Sequence, residues 1–214
     1  MSTPITLLTL SHQYGSGGGL IARDLGQRLN WKVWDKEIVQ TIASQQHVSE
    51  DYIETKDERV GSFIERVVES FGVGGFEIAY NIPPPLRLKD SQLARLTRKL
   101  IEEVSQEGNA IIVGRGGNCI LAGRPKTLHV FVFAALDARI ERVMNVEGLT
   151  TDEAKRRITG MDKLRTDYVH KCYQADWRDA DGYNLQLDSS VWGETGTAGF
   201  ILQALEHHTE PVRS

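Results

Sequence analysis

The sequence predicts an α/β fold: a mainly parallel five-stranded sheet between two helical layers. Three observations predict it. Five short, largely apolar runs, 5–10, 31–34, 110–113, 128–133 and 183–187, alternate with longer amphipathic stretches, the order that builds βα units. Most of the runs are continuously apolar, as strands buried on both faces must be. The glycine-rich or charged turns follow the runs, at residues 11–19, 35–36, 114–118 and 188–190. In an open parallel sheet those strand ends line one cleft.

The first strand, Ile5–Leu10, leads into Ser-His-Gln-Tyr-Gly15-Ser-Gly-Gly-Gly19. A helix over 18–29 follows, with Leu20, Ile21, Leu25 and Leu29 on one face. Strand, glycine-rich turn and helix N-terminus together form a phosphate-binding device. Glycine admits positive φ and close backbone approach, successive N–H groups share one concavity, and the helix adds its positive dipole end. Against the pattern G-x-x-x-x-G-K-[ST], with the second glycine on Gly17, the first glycine falls on His12, the lysine on Gly18 and the hydroxyl residue on Gly19. The lysine that normally reaches the β/γ-phosphates and the hydroxyl that normally meets magnesium are therefore absent.

Trp31–Trp34 ends at Asp35-Lys36, where Asp35 is either a ligand at the sheet edge or the N-cap of a helix over 36–44. Residues 47–88 are the least regular. Helical spacing over 57–71 is followed by Gly72-Val-Gly-Gly75 and Pro83-Pro-Pro85, which are strong breakers. This stretch is expected to be a helical insertion, on the acceptor side of the cleft or at an oligomer interface, and carries Arg59, Arg66 and Arg87. Asp90 is a plausible N-cap for a helix over 91–106 that Gly108 ends. The strand 110–113 runs into Gly114-Arg115-Gly-Gly-Asn118, and an arginine between glycines at a strand end reads as an anion ligand. After strand 128–133, a helix over 135–146 carries Arg139 and Arg142 on one face. Thr150 or Thr151 with Glu153 opens a further helix in capping-box style. In that helix Asp162 is spaced to pair with Arg165. The last strand, 183–187, ends in Asp188-Ser-Ser190, and the final helix lies within 191–208.

A chain of 214 residues with 40% hydrophobic and 25% charged content is expected to form one domain, here with the insertion at 47–88 and a lid-like region at 148–180. The net charge of −4 argues against non-specific nucleic-acid binding. Cys119 and Cys172 have neither metal-ligand nor redox spacing, which points to a reducing, cytoplasmic setting. No secretory leader pattern and no apolar run of membrane-spanning length is visible.

Taken together, these segments resemble the cytidylate-kinase-like P-loop proteins. The resemblance rests on Tyr14-Gly-Ser-Gly-Gly18 with Ile21-Ala22, on Trp34-Asp-Lys-Glu-Ile38, on Ile111–Gly116 with Leu128–Phe131 and Arg139…Arg142, and on Glu153-Ala154…Asp162-Lys-Leu-Arg165 with Tyr183–Ser190. It implies a three-layer P-loop NTPase-like fold with a helical lid, and ATP-dependent phosphoryl transfer to a nucleoside monophosphate with Mg2+. It further implies that Arg165 meets phosphate from the lid, that Arg115 lies near the monophosphate, and that Arg139 and Arg142 lead toward the lid. The chain departs from the classical pattern in two places: Gly18, Gly19 and Leu20 stand in the lysine–hydroxyl region, and Gly116 stands where an aspartate follows the arginine.

The expected site follows from both readings. Tyr14, Gly15, Ser16, Gly17, Gly18, Gly19 and Leu20 cradle the nucleotide phosphates, with the backbone amides of 15–19 on the β-phosphate. Arg115 and Arg165, helped by Arg139 or Arg142, neutralise the acceptor and transferred phosphates. Lys36 is the candidate replacement for the lysine, and Asp35 with Ser16 the candidate magnesium site. Two other activities fit the same letters: a nucleotide- or anion-binding module without turnover, and a kinase of a non-nucleotide small molecule.

Overall fold

The structure, a computed structural model, describes residues 4–35, 38, 41 and 90–207. Lys36, the insertion at 47–88 with its three arginines, and the C-terminal tail lie outside the described residues.

Five strands form one parallel sheet: β1 (Leu7–His12), β2 (Lys32–Trp34), β3 (Ala110–Val113), β4 (Thr127–Phe133) and β5 (Leu185–Asp188). Their order is β2-β3-β1-β4-β5, and every pairing is parallel. The helices are α1 (Gly18–Leu29), α2 (Asp90–Glu107), α3 (Gly117–Ile120), α4 (Leu136–Glu147), α5 (Thr151–Tyr173) and α6 (Ser189–His207). The expected α/β three-layer sheet architecture is present.

The period-2 alternation of the strands divides the core. Leu7, Ala110, Ile112 and Phe131 face one side and pack with Leu100, Ile101 and Val104 of α2 and Tyr168 and Val169 of α5. Leu8, Leu10, Ile111, Val113, Val130 and Val132 face the other and pack with Ile21 and Leu25 of α1 and Ala198 and Ile201 of α6. Both faces are covered, which is why the strands read as unbroken apolar runs. A third, smaller cluster forms at the carboxyl ends of the strands. There Tyr14 inserts among Ile140 and Val143 of α4 and Ala154, Ile158 and Met161 of α5.

Several element bounds differ from expectation for identifiable reasons. The first strand starts and ends two residues later, because Ser11 and His12 pair with Phe131 and Val132. Asp90 is the first helical residue of α2 instead of its cap. The turn after β3 closes at once into the short helix α3, entered through left-handed Gly116 at φ 68°. Tyr183 lies before β5, where its hydroxyl donates to the Trp177 carbonyl at 2.8 Å and its ring packs on Phe131. The final helix begins directly at Ser189 and is interrupted at Gly193, at φ 62°, ψ 177°. The capping box at Thr150 and Glu153 is formed as the sequence indicates.

Because β1 lies between β3 and β4, successive connections leave it toward opposite edges. The turn after β1 therefore sits at the switch point, flanked by the turns after β3 and β4.

Candidate active site

The turn after β1 is a compact loop from Gln13 to Gly17, with Gly15 at φ 77° and Gly17 at φ 80°. Side-chain-bearing residues rarely take these angles, so both glycines are required by the backbone. No acceptor among the described residues takes the amides of Gly15, Gly17, Gly18 or Gly19. The helix α1 starts at Gly18 without a side-chain cap. Four open N–H groups at the start of a twelve-residue helix make a concentrated positive end.

The loop is braced from every side. Asp162 of α5 receives the Tyr14 amide at 2.8 Å with one oxygen. Its other oxygen receives Arg139 at 2.6 Å, and Arg178 approaches the same atom at 3.4 Å. Arg139 also donates to the Tyr14 carbonyl at 3.2 Å. Ser16 donates inward to the Gln13 carbonyl at 2.8 Å, while Ser189 donates to the Ser16 carbonyl at 2.6 Å and to the Phe133 carbonyl at 3.1 Å. Arg142 donates to the Gly15 carbonyl at 2.7 Å and bridges to Glu194 of α6. The helix break at Gly193 immediately precedes Glu194, whose carboxylate lies against Gly17.

Arg165 is fully buried and donates to the His12 carbonyl at 2.5 Å. Burial lowers it to about 10, a shift that the neighbouring carboxylates of Asp162 and Asp35 oppose, so it is cationic at neutral pH. The same burial, with Arg165 beside it, holds His12 down at about 3, so its ring is neutral. Arg115, at φ 56°, is buried in the turn after β3. Its Nε donates to the Asp35 carbonyl at 3.3 Å, and the Tyr173 hydroxyl donates to the Arg115 carbonyl at 3.1 Å.

The structure thus brings Arg139, Arg142 and Arg165 against the loop after β1, while Arg115, in the turn after β3, reaches toward Asp35 past the end of β2. Asp162, expected beside Arg165, does support that cation electrostatically; it also forms ion pairs with Arg139 and Arg178, and Arg165 reaches the strand end at His12. Tyr14, expected among the nucleotide contacts, is turned into the third core cluster, and its amide is taken by Asp162. Its hydroxyl bonds Glu147, and burial together with that bond raises it to about 12. Ser16, expected near magnesium, is fully buried with its hydroxyl directed at backbone carbonyls. It does not fit as a metal ligand. Among the described residues no group of three acidic, histidine or cysteine side chains could hold a metal. Leu20 is partly exposed on α1.

The two departures from the classical P-loop pattern share a physical form. A Cβ on Gly18 would lie 2.5 Å from His12 Cβ and 2.7 Å from Cδ2, and closer still to Cγ. A Cβ on Gly116 would lie 2.7 Å from Tyr173 Cδ2, and closer still to Cε2. Carbon atoms in contact normally stand 3.5–4.0 Å apart. At both glycines, then, an aromatic ring occupies the space of the missing side chain. His12, Tyr173 and Glu194 were not assigned a role from the sequence, and Ser189 was placed only within the cleft turn 188–190. The one available signal was that His12 falls on the first glycine of the loop pattern.

A model of the cytidylate kinase-like family matches residues 7–191. The chain belongs to that family. Cytidylate kinase from Methanopyrus kandleri is 32% identical over 112 residues, 49% of this chain and 58% of that protein. The chain spans just over half the length of this relative and of the cytidylate kinase from Pyrococcus horikoshii, at 58% and 56%. In the fold, an uncharacterised protein from Eubacterium ventriosum superposes with a TM-score of 0.70 at 19% identity, covering 95% of this chain and 99% of that one. Shikimate kinase from Acinetobacter baumannii superposes with a TM-score of 0.51 at 12% identity, covering 98% and 96%. The superpositions agree with the α/β architecture of the five-stranded parallel sheet. No helix among the described residues is long and apolar enough to cross a membrane.

Proposed function

We propose that this chain transfers the γ-phosphoryl group of ATP to the phosphate of a cytidylate-like nucleoside monophosphate. The observation that carries this reading is the set of four open amides at Gly15 and Gly17–Gly19, leading into α1 and flanked by arginines from α4 and α5. Phosphoryl transfer asks a protein chiefly for positioning and charge neutralisation. The amides of Gly15, Gly17, Gly18 and Gly19 would hold the donor's phosphates. Arg142, with its side chain 25% exposed, stands at the loop's mouth and can exchange Glu194 for phosphate. Arg139 and Arg165, nearly or fully buried against Tyr14 and His12, supply a fixed positive field from beneath the backbone, and Arg115, buried in the turn after β3, would neutralise the acceptor phosphate. In the reaction an acceptor phosphate oxygen forms a bond to the γ-phosphorus as its bond to the β-bridging oxygen breaks, releasing ADP. Magnesium would contribute further neutralisation of the phosphates, with Asp35 as the candidate carboxylate. Lys36, two residues beyond Trp34 in the sequence, is the proposed replacement for the P-loop lysine.

A second reading has its own observation: the ring of His12 fills the lysine's place, so the chain could bind nucleotide without turnover. Calorimetry with ATP, followed by coupled ADP release with CMP, dCMP, UMP, AMP and shikimate, separates the readings. Turnover with CMP well above ATP hydrolysis supports the kinase, and Arg142→Ala should then weaken ATP binding roughly tenfold or more. Binding with no turnover on any acceptor refutes the kinase and favours the module. Turnover on shikimate alone would move the acceptor outside the nucleotides.

A further inference from the structure

In the P-loop pattern the first position has no side chain and the seventh carries a long cation; here the two are reversed, as His12 and Gly18. His12 is the last residue of β1 and Gly18 the first of α1, and the structure brings them into contact across the loop. The imidazole lies on the Gly18 backbone where a Cβ would have to sit. Gly18 is not among the residues with positive φ, so its backbone would accept a side chain and the obstacle is the ring. The same residue reaches the buried cation. The His12 carbonyl accepts Arg165 at 2.5 Å, and His12 Nδ1 stands 3.4 Å from the same guanidinium nitrogen and 3.0 Å from the Gln13 carbonyl.

We propose that His12 is a positioning residue of the phosphate loop: its ring fills the volume that a side chain at 18 would need and, with Nδ1 3.4 Å from the guanidinium, backs Arg165 where the His12 carbonyl already holds it at the loop's entry. The cradle's positive charge then comes from beneath its backbone and no longer from a lysine in its mouth. The two changes act as one exchange, because a single volume is filled from position 12 or from position 18 but not from both. The inference rests on the phosphate-binding reading above. It predicts that a lysine cannot simply be restored at 18, since its first side-chain carbon meets the ring. It also predicts that the loop tolerates a side chain at 18 once the ring is gone.

The test is a pair of double-mutant cycles on the full chain. Wild type, H12G, G18A and H12G/G18A are compared by thermal unfolding, and wild type, H12G, R165K and H12G/R165K by titration with ATP and with inorganic pyrophosphate. G18A alone should melt several degrees below wild type, and H12G/G18A should melt above the sum of the two single losses. H12G should weaken ATP and pyrophosphate tenfold or more. R165K should cost less than half as many fold in the H12G background as in wild type. The conservative H12N, whose amide can still reach the Gln13 carbonyl, should keep affinity within about threefold of wild type, which a purely volume-filling role would not require. Additive losses in the first cycle, or unchanged ATP affinity in H12G, overturn the role of His12 and leave the phosphate reading standing. A wild type that binds neither ATP nor pyrophosphate overturns both.

Discussion

Removing the Asp162 carboxylate tests whether the loop is held from below. Asp162 is 6% exposed and Arg139 7% exposed, with 2.6 Å between the charged atoms. Asp162→Ala strands a buried guanidinium and frees the Tyr14 amide from its acceptor at 2.8 Å. Breaking one side of a buried ion pair costs about 3–5 kcal/mol. Total stabilities are only about 5–15 kcal/mol, so the variant would lose a large share of its stability. For a chain of this length each kcal/mol moves Tm by about 2–4 °C, which gives a fall of about 6–20 °C. Denaturant unfolding followed by tryptophan fluorescence reads this directly, since Trp34 and Trp177 are buried in the core. Replacing both partners removes the stranded charge, so Asp162→Ala with Arg139→Met should recover much of the loss. A loss below about 1 kcal/mol for Asp162→Ala, or a double variant less stable than the single one, would refute the brace.

Three further perturbations follow. Gly116→Ala places a methyl group into the Tyr173 ring at left-handed φ 68° and should cost about 1–3 kcal/mol, a loss that Tyr173→Ala should partly relieve in the same unfolding assay. Thr150→Ala removes the capping box of α5 and should cost about 1 kcal/mol, read as a Tm lower by about 2–4 °C. His12 is depressed from 6.5 to about 3 in the folded chain, so the unfolded chain binds the extra proton between those values. Its contribution is complete above pH 6.5 and is lost as pH falls toward 3. Between pH 7 and pH 5 wild type should therefore lose up to about 2 kcal/mol more than His12→Gln; equal pH slopes in the two proteins would contradict the buried neutral ring.

Much of the sheet was legible because its causes are local. The run Ala110–Val113 is a strand with the expected bounds, and the capping box at Thr150 and Glu153 is formed. The long helices follow from apolar residues at helical spacing. The site was legible only as a collection of turns. Arg115 was recognisable by its position between glycines after a strand, whereas Arg139, Arg142 and Arg165 became candidates through the family resemblance. Their actual partners were not recognisable, since these lie as far apart in sequence as His12 and Arg165 or Gly15 and Arg142. Asp162 illustrates the limit. Helical spacing put it beside Arg165, whose cation it supports, but its ion pair with Arg139 comes only from the packing of α4 against α5.

The glycines of the loop show where the two levels meet. Four glycines among residues 15–19 were enough to mark an anion cradle after the first strand, because positive φ and close backbone approach are properties of the residue itself. Composition and periodicity likewise determined a sheet buried on both faces. What the letters could not decide was whether Gly18 and Gly116 are losses or fits. That depends on rings arriving from elsewhere in the chain, the one on Gly18 from the end of β1 and the one on Gly116 from the end of α5. Packing is a property of atoms brought together in space, so only the folded chain shows that each missing side chain is matched by a ring in its place.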